Sequence, residues 1–245
     1  MTETNIHAAL LVIGDEILSG RTKDKNIGYI AEYLTNIGID LKEVRVVPDE
    51  MDEIVEAVNV LRKRYKYLFT TGGIGPTHDD ITADAVAQAF GVELYEDQRI
   101  IDLMLERLKP EDLNEARRRM ARIPKGAEHV KNPISKVPGF MIGNVIVMAG
   151  VPSIMQAMMD DVAPRLVTGA RMMSETIDAM GIPEGTYAAG LGEIARAHPN
   201  VIIGSYPQFG EGRFKNQIVV RSKDGAALQA AVKAVDTLLK GFAKG

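Results

Sequence analysis

The stretch Thr70-Thr71-Gly72-Gly73-Ile74-Gly75-Pro76-Thr77-His78-Asp79-Asp80-Ile81-Thr82 decides how the chain is read. Ahead of it, Tyr67-Leu68-Phe69 is a short apolar run with strand character. Behind it, Ile81, Ala85, Val86, Ala89 and Phe90 recur at helical spacing. The glycines thus fall in the turn between a buried strand and a helix. Open α/β folds bind ligands there, at the carboxyl ends of their strands. Gly72, Gly73 and Gly75 let the backbone approach a ligand closely. Successive N–H groups beside a helix N-terminus attract anions; Ile74, Pro76, Thr77 and Thr82 complete the candidate phosphate loop, Pro76 without an N–H of its own. Asp79 and Asp80 bring two carboxylates to that phosphate, which points to a bridging divalent cation, most simply magnesium. A structural reading competes. Thr77-His78-Asp79-Asp80 also fits a capping box, with Thr77 as N-cap and Asp80 reaching back. The proline, threonine and paired aspartates at fixed offsets favour the phosphate and metal site.

Working outward, Ala8-Ala9-Leu10-Leu11-Val12-Ile13 is a continuous apolar run, as in a central parallel strand buried on both faces. It ends in Gly14-Asp15-Glu16-Ile17-Leu18-Ser19-Gly20. Ile27, Ile30, Ala31, Leu34 and Ile37 line one helix face, and Gly38 stops that helix. Leu41 to Val47 alternates like a strand that Pro48-Asp49 ends, and Met51 to Leu61 is a second amphipathic helix. This β-α-β-α-β-α order predicts a parallel sheet with right-handed crossovers. Residues from Asp97 to Arg122 read as two helices broken at Lys109-Pro110. Gly143-Asn144 between Phe140-Met141-Ile142 and Val145-Ile146-Val147-Met148 is a two-residue hairpin signal. A helix opens near Pro152. Thr168-Gly169 reads as a linker. Beyond it, a strand over Met172 to Met180, a helix over Glu184 to Ala197, strands at Val201 and Gln217 and a helix over Ala226 to Leu239 make a small α+β module. The division expected is 1–168 and 169–245.

The chain has 245 residues, 46% hydrophobic and 25% charged, the balance of an ordinary globular protein. A formal net charge of -4 argues against a general nucleic-acid binder. Without cysteine there is no disulfide, thiol nucleophile or Cys-based zinc site. The polar start, Met1 to His7, is unlike a signal peptide, and no apolar run is long enough to span a bilayer. A cytoplasmic protein without a membrane partner is expected. The four histidines show no ligand spacing; only His78 lies at the loop. The loop lacks the lysine of a P-loop, and no serine sits in a nucleophile elbow. Arg117-Arg118-Arg119 points in different directions on a helix, and acids stand upstream, so a solvated face is the reading, with at most one arginine turned to an anion.

In a parallel sheet the loops after the first, Tyr67 and Val147 strands open on one edge. From the first come Glu16, Ser19 and Asn26, with Asp24 nearby; from the last, Gly150, Val151, Pro152 and Ser153. Glu16 is the metal-ligand candidate beside Asp79 and Asp80, and Asp15 an alternative cap. Ser135 and Lys136 lie in a proline-flanked segment near that edge, where Lys136 either neutralises phosphate charge or is solvated.

Gly72-Gly73-Ile74-Gly75-Pro76-Thr77-His78-Asp79-Asp80-Ile81-Thr82 resembles the signature loop of the molybdopterin-binding (MoaB/Mog-like) domain superfamily. Within it, the chain is most similar to the N-terminal part of the competence/damage-inducible protein A (CinA-like) group. Gly14-Asp15-Glu16-Ile17-Leu18-Ser19-Gly20 resembles that group's first-strand motif. Asp24-Lys25-Asn26 stands where it commonly shows Asn-x-Asn, and Ala149 replaces the usual proline of the Ala149-Gly150-Val151-Pro152 turn. The tail, around His198 to Pro207, looks like the second subdomain of those proteins, and a similar stretch occurs in some FAD synthases. No counterpart of the amidase domain is read, so nicotinamide-nucleotide deamidation is not expected. The resemblance implies a three-layer, mostly parallel Rossmann-like sheet, a homo-oligomer, and a small phosphorylated nucleotide or pterin ligand. It implies either a pyrophosphatase acting with magnesium, manganese or cobalt on ADP-ribose or FAD, or a molybdopterin binder or adenylyltransferase. In the first reading Asp79, Asp80 and Glu16 hold the metal and Lys136 stabilises developing charge. A non-catalytic nucleotide-binding protein is the third. The Met155 to Met159 run suits an interface or the core.

Overall fold

Strand β1 (Ile6–Ile13) is buried at every position but His7 and lies inside a sheet of six. Its side chains alternate between two helical layers, Ala9, Leu11 and Ile13 facing one and Ala8, Leu10 and Val12 the other. That is why the run reads as uninterrupted apolar: both faces leave water. The computed structural model describes residues 5–179, 181–207, 209–210 and 213–242. Residues 1–4 and Met180, the end of an expected strand, lie outside the described residues.

In chain order the first unit (Met1–Gly169) continues with a one-turn helix α1 (Asp15–Leu18), helix α2 (Asn26–Asn36), strand β2 (Ile39–Val47), helix α3 (Met51–Arg64) and strand β3 (Tyr67–Thr71). Helix α4 (Thr82–Phe90), strand β4 (Leu94–Glu96), helix α5 (Gln98–Leu105), helix α6 (Glu115–Arg119) and strand β5 (Arg122–Pro124) follow. Strands β6 (Glu128–Val130), β7 (Gly139–Ile142) and β8 (Val145–Met148) and helix α7 (Pro152–Val162) complete it. The sheet order is β2-β1-β3-β8-β7-β6. The first four strands are parallel and the last two antiparallel. Helices α3, α4 and α5 cover one face, through Ile54, Leu61, Val86 and Ile100. Helices α2 and α7 cover the other, through Ile30, Leu34, Met155 and Met159. The architecture is therefore three layers around a mostly parallel sheet. Met155, Met158 and Met159 are fully buried, so the methionine run fills the core, as suits an unbranched, adaptable side chain. Gly143, at φ 56, turns β7 into β8 in a two-residue hairpin.

Because β1 lies between β2 and β3, the chain leaves its carboxyl end in one direction and returns on the other side. Such a switch point opens a crevice above the strand ends. The expected helix pair from Asp97 to Arg122 takes a different form. After α5 come a 3-10 turn at Pro110–Asp112 and the five-residue α6, which Asn114 caps by accepting from the Arg117 N–H at 3.0 Å. Arg122 already belongs to β5, paired antiparallel with β4. Three-residue strands are too short to show a period, so the second helix was overextended into them.

The second unit (Ala170–Gly245) has its own core. It comprises strand β9 (Met173–Asp178), helix α8 (Glu184–Ala197), strand β10 (Ile202–Tyr206), the short pair β11 (Phe209–Gly210) and β12 (Arg213–Phe214), strand β13 (Gln217–Ser222) and helix α9 (Gly225–Phe242). The antiparallel sheet runs β10-β13-β9, and its core joins Ile218 and Val220 to Tyr187, Leu228, Val235 and Leu239. Asp224 starts α9 by accepting from the Ala226 and Ala227 N–H groups at 2.8 and 3.1 Å. Among the described residues, no helix is long and apolar enough to cross a membrane.

Candidate functional site

The glycine loop between β3 and α4 is held by backbone bonds to β8 and α4 together with the side chains of Thr82 and Asp80. The Gly72 N–H donates to the Met148 carbonyl at 3.2 Å, extending the pairing with β8. The Thr82 N–H donates to Gly73 O and the Thr82 hydroxyl to Gly72 O, both at 3.0 Å. Thr82 is fully buried and clamps the loop from beneath. Gly72 and Gly73 sit at φ 102 and 65, where side chains are strained. A Cβ on Gly72 would run into the Ile13 carbonyl oxygen, and one on Gly73 into the Thr82 hydroxyl. A Cβ on Gly75 would lie 2.6 Å from Asp80 Oδ2.

Asp80 does reach back to Thr77, but not as a helix cap. Its Oδ2 accepts from the Thr77 N–H at 2.8 Å and from the Thr77 hydroxyl. The pair closes a separate turn, with Asp80 N donating to Thr77 O at 3.2 Å, and α4 begins only at Thr82. The two aspartates therefore stand before the helix, and Asp84 occupies its first turn. Asp79 points outward, its carboxyl kept below the ordinary value first by the Thr77 hydroxyl and then by its own backbone N–H. His78 is exposed beside it.

A residue that sequence reading treated only as a strand end joins these acids. Asp49, just after β2, accepts the Asp15 N–H at 3.0 Å. Burial pushes its carboxyl above the ordinary value; the Asp15 N–H opposes this, and the charges of Asp15, Glu16 and Asp79 add to it. The signal was available: β2 is parallel to β1, so its carboxyl-end loop opens on the same edge. Among the described residues, no three Asp, Glu, His or Cys side chains converge as a ready-made metal cage, and Glu16, Asp79 and Asp80 are not gathered into one. Asp80 is engaged by Thr77, whereas Asp79 and Glu16 share a field with Asp49. Magnesium commonly takes one or two carboxylates and completes its shell with water and phosphate.

Above the strand ends lies a cleft of about 940 Å³, a size that suits a nucleotide or pterin. Its floor includes Glu16, Gly72 to Gly75, Asp80 and Ala149 to Pro152. Met104, Leu108, Met120, Ile134 and Val137 make the facing side apolar, with Asn132, Ser135, Arg107 and Arg117 among them. Arg107 was not singled out as a site residue, and Arg117 only as one of three arginines of which at most one turns to an anion. A side pocket of about 220 Å³ adjoins Glu16, Thr22, Asn26, Thr71 and Gly150. Asn26, 4% exposed, donates from Nδ2 to Gly150 O at 2.8 Å and ties the loop after β1 to the loop after β8. Its Oδ1 and the Thr71 hydroxyl are buried without a hydrogen-bond partner. Asp24 is structural: its Oδ1 accepts from Asn26 N at 3.0 Å and Ile27 N at 2.7 Å, starting α2.

Other candidates are dispersed. Ser19 and Ser153 are exposed and line neither pocket. Lys136, at φ 70, pairs its ammonium with Glu106 at 3.2 Å and is not among the cleft-lining residues. Pro76 and Thr77 border a separate hollow of about 490 Å³ with Arg118, Arg119 and Arg122. The three adjacent arginines do diverge. Arg117 lines the cleft, Arg118 binds Glu96, and Arg119 lies 3.7 Å from Asp84.

The family model “Probable molybdopterin binding domain” matches residues 9–168, and “FAD synthase, middle domain” matches residues 171–243. A protein of Archaeoglobus fulgidus is 33% identical over 94% of this chain and 96% of its own length. A “Probable FAD synthase” of Caenorhabditis briggsae is 30% identical over 96% of this chain, which spans half of that longer protein. The crystal structure of the protein CinA from Thermoplasma acidophilum is 31% identical, with a TM-score of 0.63, and covers 66% of this chain and 99% of that one. The match spans the glycine loop and the elements that frame the cleft, and the chain belongs to the family of the “Probable molybdopterin binding domain”.

Proposed function

We propose that the cleft of the first unit binds a phosphorylated pterin of the molybdopterin class, either holding it or passing an adenylyl group from ATP to its phosphate oxygen, with pyrophosphate leaving. The supporting observation is the pairing of a backbone-held glycine loop, at the switch point of the sheet, with an apolar facing side within one cleft. The loop residues Gly72 to Gly75 present backbone to phosphate, with Ile74 beneath the ring-bearing part of the ligand. Asn26, Gly150, Val151 and Pro152 close the strand-end side, and Ser135 borders the ligand from the facing side. The apolar residues would exclude water from a flat ring, and the negative field of Glu16, Asp49 and Asp79 would attract a divalent cation brought in by the phosphate. Bound there, that ion would neutralise phosphate charge. Asp80 itself orients Thr77 and holds the loop's curvature.

A second reading is metal-dependent hydrolysis of a dinucleotide pyrophosphate such as ADP-ribose or FAD. What favours it is the repulsion among Asp15, Glu16, Asp49 and Asp79, which a cation would relieve, and the likeness of the tail to the middle domain of FAD synthase. Lys136 serves this reading only if it leaves Glu106.

Anaerobic titration with molybdopterin, then with ATP and magnesium, tests the first reading by tight binding and adenylyl transfer. Parallel incubation with ADP-ribose and FAD, with and without magnesium, manganese or cobalt, tests the second by release of AMP. Asp80→Ala is expected to lower either activity at least about a hundredfold, at a stability loss of about 1 kcal/mol for its Thr77 bonds. Binding without any turnover would leave a non-catalytic ligand-binding protein. Full activity of Asp80→Ala would remove Asp80 from the site. Absence of molybdopterin binding would sink the first reading.

A further inference from the structure

Among the described residues, two guanidinium groups on the facing side of the cleft have no carboxylate to answer them. Arg107, just past α5, bonds through Nη1 to the Ile134 carbonyl. Arg117, in α6, bonds through Nη1 to the Asp112 carbonyl. Among the described residues, neither makes an ion pair, whereas Arg118, Arg119 and Arg122 nearby all lie against acids. The acid next to Arg107, Glu106, is already taken by Lys136 at 3.2 Å. Each fork therefore retains donors, and both residues line the same cleft as the glycine loop and Asp80. A backbone carbonyl fixes a guanidinium without cancelling its charge, which pre-orients it for an anion. Apolar side chains, Met104, Leu108 and Met120, line the cleft along with them.

We propose that Arg107 and Arg117 receive a second anionic group of the ligand, so that the cleft selects molecules carrying two phosphoryl groups held apart from one another. One group lies on the glycine loop and the other on the arginine pair. This rests on the proposed function, which supplies the first phosphate, and adds the class of ligand: a bisphosphate with separated phosphoryl groups in preference to a monophosphate.

The test is calorimetric titration of the full chain with AMP and with adenosine 3′,5′-bisphosphate, with magnesium present throughout. The wild type is expected to prefer the bisphosphate by about tenfold or more, as one added charge-assisted contact would give. In the Arg107→Ala/Arg117→Ala double variant that preference falls below about threefold. The Arg107→Lys/Arg117→Lys variant restores part of it, since charge returns without the fork. Thermal melts of both variants identify any that fail to fold, and the lysine pair then carries the test with an intermediate preference. A wild type that binds both nucleotides equally, or variants that keep its preference, would overturn this inference alone. A wild type that binds neither would remove the proposed phosphate site and this inference together.

Discussion

The two sides of the cleft in the first unit are built by opposite means. On the strand-end side, Gly72 and Gly73 are held by a carbonyl of β8 and by the N–H and hydroxyl of Thr82, with no room for a Cβ. On the facing side, residues 98–137 hang on two buried polar side chains. Asp97 accepts from Arg99 Nη2, Nε and N at 2.5, 3.0 and 2.9 Å, and lies 3.0 Å from His129 Nε2. Asn132 accepts from the Ile134 and Ser135 N–H groups and donates to Val137 O at 2.9 Å. A backbone-held loop has one shape, whereas a wall hung from side chains is adjustable by single substitutions. Phosphate binding requires the first kind of support; selection among ligands suits the second.

The comparison breaks most readily at Gly72. Gly72→Ala places a Cβ against the Ile13 carbonyl at a φ of 102, and is expected to cost about 3 kcal/mol in urea unfolding and to abolish phosphate binding. A loss under about 1 kcal/mol would mean that the loop yields, and the contrast fails.

The next effect belongs to the wall. Asp97→Asn keeps the shape but loses charge-assisted bonds, so about 2 kcal/mol of stability is expected to go. The Arg99 bonds hold the Asp97 carboxyl far below its ordinary value; burial opposes them and His129 adds to them. A depressed carboxyl stabilises the fold above its unfolded value near pH 4, and that contribution is lost as pH falls through the folded value. The variant should therefore be less stable than wild type from pH 5 to 8 and converge with it in strong acid. An equal gap at every pH would detach Asp97's charge from the wall.

The smallest effect has the opposite sign. Burial and neighbouring acids raise the Asp49 carboxyl, so its ionisation costs stability as pH rises through the folded value. Asp49→Asn retains an acceptor for the Asp15 N–H and should stabilise the protein by up to about 1 kcal/mol at pH 7 while weakening any cation-dependent activity. A gain that also appears below pH 3 would point to a cause other than charge.

These contrasts also explain what the sequence could be read for. The glycine loop was legible because its residue types are local necessities: only glycine fits where Ile13 O and the Thr82 hydroxyl press on the backbone. The β-α alternation, the hairpin at Gly143 and the helices α8 and α9 were legible for the same reason, as period and turn residues act within a few positions. Strands β4, β5 and β6 are three residues each and carry no period, so they exist only through their partners. Asp49 looked like punctuation after a strand, and Arg107 like any solvated arginine. In Arg117-Arg118-Arg119, the expectation of divergence was sound, but which arginine meets the cleft depends on Glu96 and Asp84.

By itself, then, the sequence determined the layered α/β order, the separate α+β module and the loop that no side chain larger than hydrogen can enter. Those follow from backbone sterics and from apolar periodicity, both written in neighbouring residues. Tertiary structure alone decided that Asp49 lies in the field of Asp15, Glu16 and Asp79, that Lys136 is spent on Glu106, and that Arg107 and Arg117 line the cleft. Electrostatic partnership depends on distance in space, which is set only when segments far apart in the chain pack together.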